Sequence, residues 1–249
     1  MPKKIHVFGD SHAAFFMQSP FYVGRLGLNF PLSFHLEGES IPAASIMGFR
    51  PKISTLNTKE KIAETLPEAS RMILAFGQVD LELGFYYRRF IKGEEHSMDS
   101  FSDLLIKVYE GFIEDITGRV DLAIKGMNLT ALSPRAFSAR YIARVITENN
   151  PMSLADAEKQ IFDQVLAEDD QNRMHLLFNE KLQDMCERLG IRYFDLVQQT
   201  SAGGISGVTM QKPRLADIYK TAKFDHHLAD TIAVRKMHYV AAGSVFGLC

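Results

Sequence analysis

The sequence predicts a three-layer α/β/α sandwich around a mostly parallel central sheet, and three observations predict it. Short apolar runs at residues 5–8, 72–76 and 122–124 alternate with longer segments of helical period, and strands separated by helices pair in parallel with helices on both faces. Small or polar residues follow each run, as they do at the carboxyl ends of parallel strands. At 249 residues, 46% of them hydrophobic, the chain can bury one large core, so a single domain over 1–249 is expected.

Each element follows from its residues. Ile5, Val7 and Phe8 read as a mostly buried strand. Gly9 is expected to allow the tight turn after it through a positive φ. Asp10, Ser11 and His12 then precede the helix-compatible Ala13-Ala14-Phe15. A serine on a strand-to-helix turn has helix-start N–H groups beside it, the position of a nucleophile; Asp10 or Ser11 acting only as a helix cap is the competing reading. Residues 32–36 alternate as a second strand, and the small residues in 38–49 let backbone pass close to a helix or a substrate. Ile62 and Leu66 mark an exposed helix over 58–69.

The run at 72–76 is a central strand ending in Gly77-Gln78-Val79-Asp80, with the aromatic-basic segment 83–90 directly behind. Phe101, Leu105, Phe112 and Ile113 share one face of a helix over 97–118, capped by Ser97 or Ser100. After the strand at 122–124, residues 137–189 hold two or three helices and no strand, which predicts a lid or side insertion. Residues 191–194 form the last strand. A Gly/Ser-rich loop over 201–208 leads to Phe224-Asp225-His226-His227-Leu228 and a helix over about 229–242.

Composition excludes several classes. With 28 basic against 30 acidic residues, no basic stripe suggests nucleic acid and no polybasic cluster seeks a membrane. No apolar run approaches the ~18 residues of a membrane span. No signal peptide precedes the first strand, so the cytoplasm is the expected location. The two cysteines, Cys186 and Cys249, make no disulfide framework. No Cys/His run has zinc spacing, and His6, His35, His96, His175 and His238 are scattered, so neither metal nor cofactor is expected.

Three polar clusters, Asp10-Ser11-His12, Gly77-Gln78-Val79-Asp80 and Asp225-His226-His227, fall where a parallel sheet brings its strand ends together. A serine, a carboxamide and a carboxylate–histidine pair are the parts of serine acyl transfer. In an extended segment Asp225 and His227 project to one side, leaving His226 on the other.

These blocks resemble the SGNH/GDSL hydrolase superfamily. Gly9-Asp10-Ser11 matches its first block, with His12 in place of the commoner leucine. Gly77-Gln78-Val79-Asp80 is similar to its Gly-x-Asn-Asp block, with Val79 at the asparagine position. Asp225-His226-His227-Leu228 resembles its last block, with one residue rather than two between acid and histidine. The resemblance implies Ser11 as nucleophile, His227 as base and Asp225 as its orienter. Backbone N–H groups of Ser11 and of Gly48 or Ser45 would hold an oxyanion, with the Gln78 amide replacing the asparagine or serving as a loop hydrogen bonder. Asp80 reads as a loop-fixing carboxylate that can also border substrate. His12 reads as structural or a substrate-side contact. Tyr86, Tyr87 and Arg88 form either a sugar-stacking rim or a half-buried helix. The implied substrate is a small ester or acylated carbohydrate, with acetyl the expected acyl group. An O-acyltransferase using the same acyl-enzyme and a catalytically silent glycan- or protein-binding domain are the alternatives.

Overall fold

The computed structural model describes residues 3–17, 34–51, 55–148, 152–202 and 213–249. Its centre is a five-stranded sheet of order β2-β1-β3-β4-β5, every pairing parallel. The strands are β1 (Lys3–Gly9), β2 (Phe34–Ser40), β3 (Arg71–Ala75), β4 (Asp121–Lys125) and β5 (Arg192–Phe194). Around them lie α1 (Thr58–Thr65), α2 (Phe85–Phe90), α3 (Met98–Glu114), α4 (Arg135–Thr147), α5 (Leu154–Gln164), α6 (Glu168–Leu189), α7 (Val197–Thr200) and α8 (Ile232–Ser244).

Strand alternation sorts the core into two layers. Phe8, Met72, Leu74, Leu122 and Ile124 pack with Ile62 of α1, Phe101, Leu105 and Tyr109 of α3, and Phe178 and Leu182 of α6. Ile5, Val7, Ile73, Ala75 and Ala123 pack on the other side with Phe16 and with Tyr239 and Ala242 of α8. Each fully buried aliphatic or aromatic side chain contributes about 1.5–3 kcal/mol, so the layers pin the strands and hence their carboxyl ends. Ser97 caps α3 through a reciprocal bond with Ser100. The helix ends at Glu114, short of residue 118, with Asp115 as its C-cap and Gly118 at φ 80° in the turn beyond.

Two expectations change. The segment 137–189 is not a lid as a whole: α6 connects the β4 side of the sheet to β5 and buries Met174, Phe178, Leu182 and Met185 in the main core. Gly9 does not adopt a positive φ; a side chain there would collide with the Ala75 carbonyl and the Ala13 Cβ, so close approach of β1 to β3 is what demands glycine. Residues 32 and 33, the break at 149–151 and most of the 201–208 loop lie outside the described residues. Among the described residues no helix is long and apolar enough to cross a membrane.

Candidate active site

Asp10 organises the carboxyl end of β1. Its N–H donates to the Ala75 carbonyl at 3.1 Å, and its carboxylate accepts from the His12 N–H at 2.9 Å, His12 Nδ1 at 3.0 Å and the Val79 N–H at 3.4 Å. Burial raises the Asp10 carboxyl, but the His12 charge and hydrogen bonds outweigh it and hold the carboxyl below its ordinary range. Burial likewise lowers His12, and Asp10 more than reverses this, so His12 is raised. The pair clamps a short 3-10 turn, Ser11–Phe15, with Ser11 at its first position.

The distant histidine meets this serine. His227 Nε2 lies 2.7 Å from Ser11 Oγ, and His227 Nδ1 lies 2.6 Å from Asp225 Oδ1. The Asp225 carboxylate also accepts the His226 N–H at 2.7 Å, which fixes the turn between acid and base. Leu228 and Val234 anchor the segment against Phe15 and Leu129. Burial pushes His227 down to about 4, the charges of His12 and His226 push the same way, and Asp225 opposes them. The imidazole is therefore neutral near pH 7, with Nε2 free to accept the Ser11 proton. Ser11 and His227 open into a cleft of 470 Å³ bordered by Ser40, Pro42, Lys223 and Asp225. A larger groove of 680 Å³ between β5 and α8 is mainly apolar and lacks these groups.

Other expected residues sit elsewhere. Gln78 is buried, and its amide donates to Glu82 Oε1 at 3.0 Å and the Asn128 carbonyl at 3.3 Å, while its carbonyl accepts the Asn128 N–H at 2.9 Å. An amide so spent has no proton for an oxyanion. Gly48 donates its N–H to the Ser45 carbonyl at 3.0 Å, whereas the Ser45 N–H meets no acceptor among the described residues. Asp80 is buried rather than at a rim, accepting the Ile46 N–H at 2.7 Å and the Met47 N–H at 3.4 Å. Burial pushes it up to about 7 against those two bonds. Tyr86 is also buried, its hydroxyl donating to Gln171 at 2.8 Å. Arg88 pairs with Glu94, and Lys92 lies over the Tyr87 ring; neither Tyr87 nor Arg88 borders the cleft. His12 is buried beside the base instead of reaching outward.

Sequence reasoning missed the second layer. Glu82 accepts His226 Nδ1 at 2.9 Å, and His175 Nδ1 bonds the Asn128 carbonyl at 2.7 Å. The only available signal was the four-residue step from Gln78 to Glu82, one helical turn, within a stretch read as the polar end of a strand. A π-helical turn over Asp80–Gly84 makes the step real.

No protein-family profile and no curated protein sequence matches the chain. Solved structures do match it in shape. A GDSL-like lipase from Bacteroides thetaiotaomicron aligns over 99% of this chain and 89% of its own, at TM-score 0.52 and 11% identity. A carbohydrate acetylesterase from Sinorhizobium meliloti aligns over 99% and 100%, at 0.51 and 12%. An acetyl-xylooligosaccharide esterase from Geobacillus aligns over 98% and 94%, at 0.50 and 10%. With its all-parallel five-stranded sheet and helices on both faces, the chain has the fold of the SGNH/GDSL hydrolases.

Proposed function

We propose that the protein is a serine esterase, and the observation that carries this is the Ser11–His227–Asp225 relay at the mouth of the 470 Å³ cleft. Ser11 Oγ attacks the ester carbonyl carbon as His227 Nε2 takes its proton. Asp225 holds the imidazole in the tautomer with its proton on Nδ1 and stabilises the imidazolium. The tetrahedral oxyanion is held by the backbone N–H of Ser11 and, in place of Gly48 and Gln78, that of Ser45. Collapse expels the alcohol, which leaves with the proton from His227, and water then resolves the acyl-enzyme with His227 again as base.

The acyl group we propose is acetyl, on a carbohydrate oxygen. Two proteins of similar fold are esterases of acetylated carbohydrates by description, and the cleft is large enough for a sugar unit. A catalytically silent domain has no need for a serine–histidine hydrogen bond, so the 2.7 Å contact favours the esterase. The test is intact-mass labelling with a fluorophosphonate. One adduct is expected on the parent protein and none on Ser11→Ala; equal labelling of both overturns the assignment.

A further inference from the structure

Three histidines far apart in sequence, His12, His226 and His227, pack ring against ring beside Ser11. Their centroids are 4.6, 4.3 and 4.4 Å apart, and one nitrogen from each lies within 4.8 Å of the other two. Each ring also has its Nδ1 on a carboxylate oxygen: His12 on Asp10 at 3.0 Å, His226 on Glu82 at 2.9 Å, His227 on Asp225 at 2.6 Å. A histidine that gives Nδ1–H to a carboxylate presents a basic, oriented Nε2, the arrangement that supports metal-ligating imidazoles. Three such rings make a three-nitrogen donor set with the Ser11 hydroxyl beside the fourth position, suited to a borderline-soft divalent ion that keeps that position open.

We propose that His12, His226 and His227 form a binding site for a zinc-class divalent ion. A tetrahedral ion bonded at about 2.0–2.1 Å holds its nitrogens about 3.3 Å apart, so the rings must draw together from the present spacing. His12 Nε2 must also leave the His226 carbonyl, 3.5 Å away. Both are adjustments of χ1 and χ2 that shift each Nδ1 slightly on its carboxylate. The ion takes the lone pair of His227 Nε2, the same pair that accepts the Ser11 proton. Metal binding and base catalysis therefore exclude one another, and the bound form is inhibited. The inhibition rests on the proposed esterase function; the binding does not.

The test is titration of the metal-stripped protein with CoCl₂, following visible d–d absorption, and with ZnCl₂ in competition. One equivalent is expected, also in Ser11→Ala, which has no nucleophile but keeps all three rings. His12→Ala and His226→Ala should each weaken binding by about 10²-fold or more, Glu82→Gln by about 10–100-fold through the lost carboxylate support, and His96→Ala not at all. In the parent, one equivalent of zinc should slow fluorophosphonate labelling at least tenfold. This readout needs no variant to fold. No stoichiometric binding by the parent, or full binding by a folded His226→Ala, overturns the site. Binding in Ser11→Ala with no labelling of the parent overturns the esterase reading and leaves the metal site standing.

Discussion

His226 and His227 are neighbours in sequence, each with Nδ1 on a carboxylate, yet they are suited to different work. His226 and Glu82 are buried, with Gln78 bonded to the other Glu82 oxygen. His227 is 24% and Asp225 36% exposed, at the edge of the cleft. Burial raises Glu82, but the His226 hydrogen bond and the charges of His226, His175 and His12 more than reverse it, and the carboxyl falls to about 2. A carboxylate held that firmly braces its partner. The Asp225–His227 pair has the same bond but its Nε2 meets Ser11 Oγ at 2.7 Å, and on the proposed esterase reading it is the pair that moves a proton. What separates brace from base is access to a reacting atom rather than the carboxylate–imidazole bond itself.

The largest effect should come from breaking the exposed pair. His227→Ala should lower kcat by about 10⁴–10⁶-fold, and Asp225→Asn by about 10⁴-fold through the wrong tautomer, with little change in thermal stability. Turnover of p-nitrophenyl acetate with matched melting curves checks both. If His226→Ala costs as much kcat as His227→Ala at an unchanged melting temperature, the two histidines do not differ as described. Glu82→Ala should cost mainly stability, about 2–5 kcal/mol, because His226 Nδ1 and the Gln78 amide lose their acceptor. Glu82 is depressed from its ordinary 4.5 to about 2, so its contribution is full above pH 4.5 and lost as pH falls toward 2. The stability gap between parent and variant in urea should therefore close in acid.

The pH profile sharpens the comparison further. His227 works as a base only when unprotonated, and burial beside His12 and His226 lowers it to about 4. The acid limb of kcat/KM should therefore fall near pH 4, with a plateau above about 5, rather than near the ordinary value of about 6.5. Replacing His12 with Gln removes one neighbouring charge and should move the limb upward. A limb at 6.5 in the parent would show that neither burial nor these neighbours shifts the base, and an unmoved limb in His12→Gln that His12 does not bear on it.

The central strands and the serine–histidine pair were legible because they depend on local pattern. The apolar run at 72–76 carries most of β3 (Arg71–Ala75), and a serine after β1 lies at the carboxyl edge once the sheet is parallel. The pairing of Asp225 with His227 is the one a two-residue step predicts, although residues 222–227 bend rather than run extended and the His226 N–H bond to Asp225 shapes the turn. His226 shows where that logic ends. Alternation predicts it on the side away from His227, yet its ring lies 4.4 Å from the His227 ring, both meet His12, and Glu82 holds its Nδ1. In sequence α6 falls within a lid or side insertion because its apolar face, Met174, Phe178, Leu182 and Met185, says that it packs but not against what. Tyr86 stays open in sequence between a rim and a half-buried helix for the same reason: an aromatic beside arginines suits either a sugar or a core.

The last and smallest effect concerns Gln78, one residue before the position, Val79, where the resemblance puts an oxyanion donor, and read as either its replacement or a loop hydrogen bonder. A transition-state donor, when removed, lowers kcat by about 10²–10³-fold and leaves KM nearly alone. The structure spends the Gln78 amide on Glu82 and Asn128 instead. Gln78→Ala should thus leave kcat within a few-fold of the parent. Its cost should be stability, about 1–3 kcal/mol, because the Asn128 N–H and a Glu82 oxygen are left buried without their partner. Gln78→Glu puts a second carboxylate against Glu82 and should destabilise more, again without a selective loss of kcat. A hundredfold fall in kcat at unchanged melting temperature would mean that the amide turns toward the substrate during the reaction. Near-parental kcat would, on the proposed esterase reading, leave the oxyanion to backbone N–H groups such as that of Ser11, which no side-chain substitution removes.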